Sequence, residues 1–131
     1  MKIEIDFESY EQGISTRTQY GKLDVSGLDE CGFRPYFLMS SAIAGCATGW
    51  LRREMANRGL SYDDFKVKAE ITRNPEIFNR IEKVHLNFLV YSKTISDEAM
   101  HDVIKVMHEN SSMINTVKNS IEVSETFSVI R

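Results

Sequence analysis

Alternating apolar and polar positions predict β-strands at both ends and in the middle of the chain. A period of two residues is typical of a strand that buries one of its faces. The alternation covers residues 3–7, 65–71, 84–90 and 121–129, and two shorter strands are expected at 16–19 and 22–25. A turn at Tyr20 and Gly21 would join the two short strands.

A long helix is predicted over residues 35–58. Pro35 suits the first helical position, where its missing N–H is no loss, and Gly59 suits the left-handed residue that follows a helix. The centre, residues 39–51, is apolar or small on nearly every side, so we expect this helix to be buried on several sides. Two residues that would let another backbone approach closely are Gly45 and Gly49.

A second helix is predicted to begin after Ser96, which is a good N-cap. Its buried stripe would contain Met100, Val103 and Met107. Ser111 and Ser112 are expected to interrupt it before a short helix at 113–117. The order of elements is then strands, long helix, two strands, two helices and strand, which predicts a single α+β domain over residues 1–131 with a sheet packed on the long helix.

Composition narrows the function classes. The chain has 131 residues, 42% of them hydrophobic, and a net charge of −3 without a long basic run. Nucleic-acid binding is disfavoured, because neutralising phosphates requires clustered Lys and Arg. No apolar run is long enough for a membrane span, and the first residues alternate instead of forming a signal peptide. We therefore expect a cytoplasmic protein without a membrane partner.

Cys46 is the main candidate for chemistry. Its neighbours are small and apolar, so one interpretation is a core cysteine that behaves as a small hydrophobe. An apolar site raises the pKa of a thiol, and a reactive Cys46 would need an offsetting cation or helix terminus. The candidate cations are Arg17, Lys22 and Arg34.

The second cysteine, Cys31, follows two acidic residues and is predicted to be a structural loop residue, although a flexible loop would let it reach Cys46. Two cysteines cannot form a disulfide framework. Three histidines, His85, His101 and His108, lack a recognisable metal-ligand spacing, so no metal site and no cofactor are predicted. A pair formed by Cys46 and His85 remains an alternative.

The segment from Gly32 to Cys46 resembles the OsmC/Ohr family (osmotically inducible protein C-like and organic hydroperoxide resistance-like proteins). In that family a proline opens a helix, and a cysteine follows eleven residues later after small residues, as Cys46 follows Pro35 here. The similarity extends over about residues 20–130 through the order of the later strands and helices. The chain thus looks like a divergent member of this family.

The resemblance implies an OsmC-like α+β fold, with antiparallel sheets packed around a long central helix in an intertwined homodimer. It also implies active sites at the interface, with Cys46 as a peroxidatic thiol that reduces organic hydroperoxides. Apolar residues near that thiol would then contact the substrate, and we expect these to be Tyr36, Met39, Ile43 and Trp50, with Phe37 beside them.

Three positions depart from the family pattern. Ser111 occupies the position of the family's second, resolving cysteine, so the usual disulfide cannot form. Tyr36 stands where the peroxidase members carry a glutamate. The activating arginine has no unique counterpart, and Arg17 is the best candidate.

Two main hypotheses follow. In the first, the protein is a one-cysteine, peroxiredoxin-like hydroperoxide reductase in oxidative-stress defence, and an external thiol or Cys31 recycles Cys46. In the second, it is a catalytically inactive OsmC-like domain that binds an apolar ligand or senses oxidants at the dimer interface. A third possibility, another thiol-dependent transferase or hydrolase, has no residue of its own in support.

Overall fold

The computed structural model describes residues Met1–Arg131. The contacts within the chain form two compact units, Met1–Met39 and Ser40–Arg131. One helix begins in the first unit and continues in the second, and the single domain over 1–131 stays a prediction. The elements are β1 (Glu8–Tyr10), β2 (Gly13–Arg17), β3 (Lys22–Ser26), α1 (Pro35–Asn57), β4 (Asp64–Asn74), β5 (Arg80–Tyr91), α2 (Asp97–Asn110), α3 (Ser112–Val117) and β6 (Glu122–Ile130).

The first unit contains an antiparallel sheet in the order β1-β2-β3. Gly13 of β2 allows this strand to approach β3 closely, because a Cβ at this position would lie 2.1 Å from the carbonyl oxygen of Val25 in β3. Residues 3–7, which alternate, form no strand. Alternation describes the two faces of a strand but does not supply a partner, and pairing with β2 begins only at Glu8.

Helix α1 is buried along one stripe, and Gly59 follows it in the predicted left-handed conformation, with φ of 67°. The burial on several sides that the sequence predicts is therefore not found within the single chain. The opposite face is exposed, and a Cβ added at Gly45 or Gly49 would meet no atom within 4 Å. The buried residues of α1 are Ser40, Ile43, Ala47, Leu51 and Met55.

The second unit contains a sheet in the order β4-β5-β6. Strands β4 and β5 form the antiparallel pair expected from the sequence. Strand β6 instead lies parallel to β5, so this sheet is mixed and not wholly antiparallel. Two parallel strands require a long connection that returns the chain to the end of the sheet where the first strand began. The segment with α2 and α3 provides this connection between β5 and β6.

One core lies in the second unit, between its sheet and its helices. The inward face of β5, formed by Val84, Leu86, Phe88 and Val90, has no exposed surface. Helix α2 begins as predicted, with Ser96 Oγ accepting a hydrogen bond from the Ala99 N–H at 3.1 Å. None of the helices combines the length and apolar character needed to cross a membrane. The residues of α2 in this core are Met100, Val103 and Met107.

Candidate functional site

Cys46 lies in the middle of α1 and is part-buried. Its Sγ atom is 3.4 Å from Ser111 Oγ and 3.4 Å from Ser112 Oγ. The two serines are adjacent at the junction of α2 and α3, so this junction meets α1 at the sulfur. The site therefore brings together one thiol and two hydroxyls that are far apart in the sequence.

Ser111 is fixed in place by its role at the junction. Its N–H donates to the carbonyl oxygen of Met107 at the end of α2, at 2.9 Å, and its Oγ accepts from the Ile114 N–H at 3.4 Å as the N-cap of α3. The side chain has no exposed surface. Since the oxygen already accepts a hydrogen bond, its O–H is free to donate to Cys46 Sγ.

Ser112 differs from its neighbour because it is exposed. In its contact with Cys46 Sγ either atom can be the donor. A neutral thiol can donate its S–H to the hydroxyl, whereas a thiolate can only accept, and the Ser112 O–H then turns toward the sulfur. This hydroxyl can therefore follow a change of charge on Cys46 without a change of backbone.

The hydrogen bonds around Cys46 favour its thiolate. Burial raises the pKa of this thiol, but hydrogen bonds from the Ser111 and Ser112 hydroxyls and from the backbone N–H groups of Met113 and Ser112 outweigh it. Together they lower the pKa from 9.0 to about 7. Near neutral pH about half of the molecules would then carry the nucleophilic form.

The predicted substrate-contacting residues lie in different environments. Ile43 belongs to the hydrophobic core with 1% of its surface exposed, so burial removes it from the surface of this chain. Trp50 is part-buried and packs against the core, and the guanidinium carbon of Arg53 lies 5.0 Å from its ring centroid. In the first unit, Met39 is exposed and Tyr36 is part-buried.

The three candidate cations all lie in the first unit. Arg34 pairs with Asp29 at 3.2 Å, and Lys22 pairs with Asp24 at 3.6 Å. Arg17 is exposed at the end of β2. Its role as an activating residue stays a prediction.

The structure shows no hydrogen bond between Cys46 and His85. Both ring nitrogens of His85 contact β6 hydroxyls, with Nδ1 2.7 Å from Ser124 Oγ and Nε2 2.9 Å from Thr126 Oγ1. These contacts hold the imidazole on the sheet, and a role of His85 as a base for the sulfur stays a prediction.

The other two histidines have separate partners. The ring of His101 makes an edge contact with Phe127 at 4.8 Å between centroids. His108 Nδ1 lies 2.6 Å from Glu125 Oε2. Although they lie on the same helix, α2, one of these histidines makes an aromatic contact and the other a carboxylate contact.

Cys31 is a part-buried loop residue of the first unit, as predicted. Its carbonyl oxygen accepts a hydrogen bond from the Tyr10 hydroxyl at 2.9 Å. A reaction of Cys31 with Cys46 stays a prediction.

Ser111 was predicted at the position of the missing thiol, whereas the contacts of Ser112 and of the backbone beside it with Cys46 were not predicted. The sequence feature that could have predicted these donors is the serine pair itself. Serine is a favoured N-cap, and an N-cap leaves backbone N–H groups that point out of the helix end. A sulfur near this pair would therefore find several donors.

Comparison with known proteins identifies the fold family. A family model described as OsmC-like protein matches residues 27–126. No curated protein matches the sequence.

Solved structures with a similar fold cover nearly the whole chain. A hypothetical protein from Aquifex aeolicus has a TM-score of 0.82 at 18% identity, with 100% of each chain covered. An OsmC-like protein from Mycoplasma pneumoniae has a TM-score of 0.81 at 10% identity, again with 100% of each chain covered. An organic hydroperoxide resistance protein from Elizabethkingia anophelis has a TM-score of 0.73 at 16% identity, covering 98% of this chain and 99% of that one. The chain has an α+β OsmC-like fold and belongs to the OsmC-like protein family.

Proposed function

We propose that this protein is a one-cysteine thiol peroxidase that reduces organic hydroperoxides, with Cys46 as the peroxidatic residue. The observation that carries the proposal is the pair of hydroxyls, on Ser111 and Ser112, each 3.4 Å from Cys46 Sγ. They stabilise a thiolate, which is the form that attacks a peroxide. The similar fold of an organic hydroperoxide resistance protein supports the same chemistry.

The reaction would proceed in two stages. The Cys46 thiolate attacks one oxygen of ROOH, the O–O bond breaks, and the leaving alkoxide takes up a proton to give ROH and a sulfenate or sulfenic acid. An external thiol R′SH then forms a Cys46–S–S–R′ mixed disulfide and releases water. A second R′SH releases R′SSR′ and restores the thiol. Ser111 cannot replace the external thiol, because a hydroxyl forms no disulfide. A reducing compartment such as the cytoplasm would supply R′SH.

We further propose that two chains associate through the exposed face of α1. Gly45 and Gly49 lie on this face, and nothing in the chain occupies the space beside them. Each glycine within a helix costs roughly 0.5–1 kcal/mol relative to alanine, and close contact with a second helix would offset this cost. In such a homodimer Cys46, next to Gly45 on α1, would lie near the interface.

The test is to oxidise reduced protein with cumene hydroperoxide and to follow sulfenic acid at Cys46 by mass spectrometry. We expect one oxygen to add at Cys46 and consumption of peroxide to continue when a small thiol is supplied. A Cys46→Ser variant should be inactive, and the matched Cys31→Ser variant should retain activity. Unmodified Cys46 in folded protein under excess peroxide would reject the peroxidase and favour an inactive domain that binds an apolar ligand.

A further inference from the structure

Cys46, Trp50 and Arg53 lie on one stripe of α1. They are separated by four and three residues, and seven residues make almost two helical turns, so the three side chains share a face. The distance from the first to the last is about 10 Å along the helix axis at 1.5 Å per residue. The stripe begins with a thiol, continues with an indole and ends with a cation.

Arg53 is held in position but has no carboxylate partner in the chain. Its guanidinium carbon lies 5.0 Å from the centroid of the Trp50 ring, whereas nearby Arg58 pairs with Glu54 at 2.8 Å. Stacking on an indole orders the guanidinium but leaves its in-plane N–H groups open. Those donors suit a carboxylate, which they can bind in a bidentate manner.

Side chains on a helix lean toward its N-terminus, and on α1 this direction runs from Arg53 toward Cys46. We infer that Trp50 and Arg53 form a carboxylate-binding subsite for a small molecule whose other end reacts at Cys46. The inference rests on the proposed function, in which the sulfur meets a hydroperoxide and then an external thiol. Either reactant can carry the acid group, and the shared requirement is a carboxylate within about 10 Å of the reacting atom.

The first test needs no peroxidase activity. Cys46 is labelled with a maleimide that carries a short alkyl carboxylate and, separately, with its methyl ester, in a Cys31→Ser background. The ratio of the two rate constants cancels any change in the pKa of Cys46. We expect Arg53→Gln to lower the acid-to-ester ratio about three- to fivefold, with a smaller effect at high salt.

Arg52→Gln is the matched control. It removes the same charge one position away and off the stripe, where Arg52 donates to the Tyr62 hydroxyl at 3.2 Å. The ratio should stay unchanged in this variant. An unchanged ratio in Arg53→Gln, or an equal loss in both variants, would overturn the subsite.

The second test identifies the reactant. Oxidation of Cys46 is timed with a mid-chain fatty-acid hydroperoxide and with its methyl ester, and reduction of the oxidised protein is timed with glutathione and with its ethyl ester. A dependence on Arg53 in the first pair assigns the acid group to the peroxide, and a dependence in the second pair assigns it to the thiol. If both half-reactions proceed but neither depends on Arg53, the inference is overturned. If no peroxide oxidises Cys46, the proposed function fails, and the labelling ratio still tests the subsite.

Discussion

Ser111 Oγ lies 3.4 Å from Cys46 Sγ and donates a hydrogen bond to it across 65 positions of sequence. The resemblance to the OsmC/Ohr family suggested that a second thiol had been lost at this position. The structure shows that the serine which stands there contacts the sulfur and favours its ionised form.

Ser111→Ala should raise the pKa of Cys46 toward 9.0, because one of the hydrogen bonds that lower it is lost. We expect alkylation by a neutral reagent near pH 7 to slow roughly threefold, because a net hydrogen-bond contribution of about 1 kcal/mol lowers the thiolate fraction from about one half to about one sixth. The variant also loses the N-cap of α3, which should cost about 1 kcal/mol of unfolding free energy. The measurement is the pH profile of thiolate absorbance at a temperature where circular dichroism shows the protein folded.

Ser112→Ala tests the effect of a lost hydroxyl on the pKa of Cys46 without the loss of stability expected for Ser111→Ala. Ser112 is exposed and caps no helix, so its removal should raise the pKa of Cys46 with little change in stability. If both alanine variants kept the pH profile of the unaltered protein, the hydroxyls would not be the groups that activate the sulfur.

Oxidation of Cys46 should depend on pH around its pKa of about 7. The rate constant with a hydroperoxide should rise as pH increases through this value and level off above it. The sign for stability follows from the same shift, because the folded pKa lies below that of an unfolded cysteine, about 8.5. The stabilisation is complete above the unfolded value and is lost as pH falls through about 7. Stopped-flow oxidation and denaturant titration, with Cys46→Ala as the reference, would detect both effects, and a rate independent of pH from 6 to 9 would contradict them.

Ser111→Cys should restore a two-cysteine cycle. A hydroxyl oxygen 3.4 Å from the sulfur marks a position from which a thiol needs only a small approach to form an S–S bond of about 2.05 Å. We expect oxidation by one equivalent of peroxide to give an intramolecular disulfide, seen as two fewer titratable thiols and as a linked peptide in mass spectrometry. Ser112→Cys is a useful comparison, since Ser112 Oγ is also 3.4 Å away but is exposed. A stable sulfenic acid in the Ser111→Cys variant would show that the two positions do not approach as the structure indicates.

Gly49→Leu should dissociate the proposed homodimer without unfolding the chain. A Cβ at Gly49 meets no atom within 4 Å in the single chain, and leucine favours helix more than glycine does. Light scattering should therefore give twice the monomer mass for the unaltered protein and the monomer mass for the variant. Lys105→Leu, at an exposed position of α2 and away from this face of α1, controls for added hydrophobic surface. A monomeric unaltered protein would reject the dimer.

The element order could be predicted because each periodic segment reflects burial on one face. Ser96 and Gly59 marked helix ends correctly, since capping chemistry is local. The parallel direction of β6 could not be predicted, because alternation is the same in both directions of a strand. The pattern also did not separate the face of α1 that this chain buries from the face that it leaves exposed, because a small-residue surface has the same composition whether it is covered or open.

The site was predictable only in part. Cys46 and the position of Ser111 followed from the family resemblance, whereas the donors around the sulfur depend on how the junction of α2 and α3 meets α1. That geometry joins residues 65 and 66 positions apart, and no local pattern encodes it. The partners of His85 on β6 could not be predicted for the same reason, since they lie 39 and 41 positions away in the sequence.

The double role of Ser111 ties the reactivity of Cys46 to the integrity of a six-residue helix. So short a helix has little stability of its own and persists through its packing. Local melting of α3 would withdraw the N–H donors and both hydroxyls from the sulfur together, and the thiol would become a poorer nucleophile while the sheet remained intact. Warming or mild denaturant should thus quench the chemistry of Cys46 before the protein unfolds, which would make this sulfur a reporter of local order.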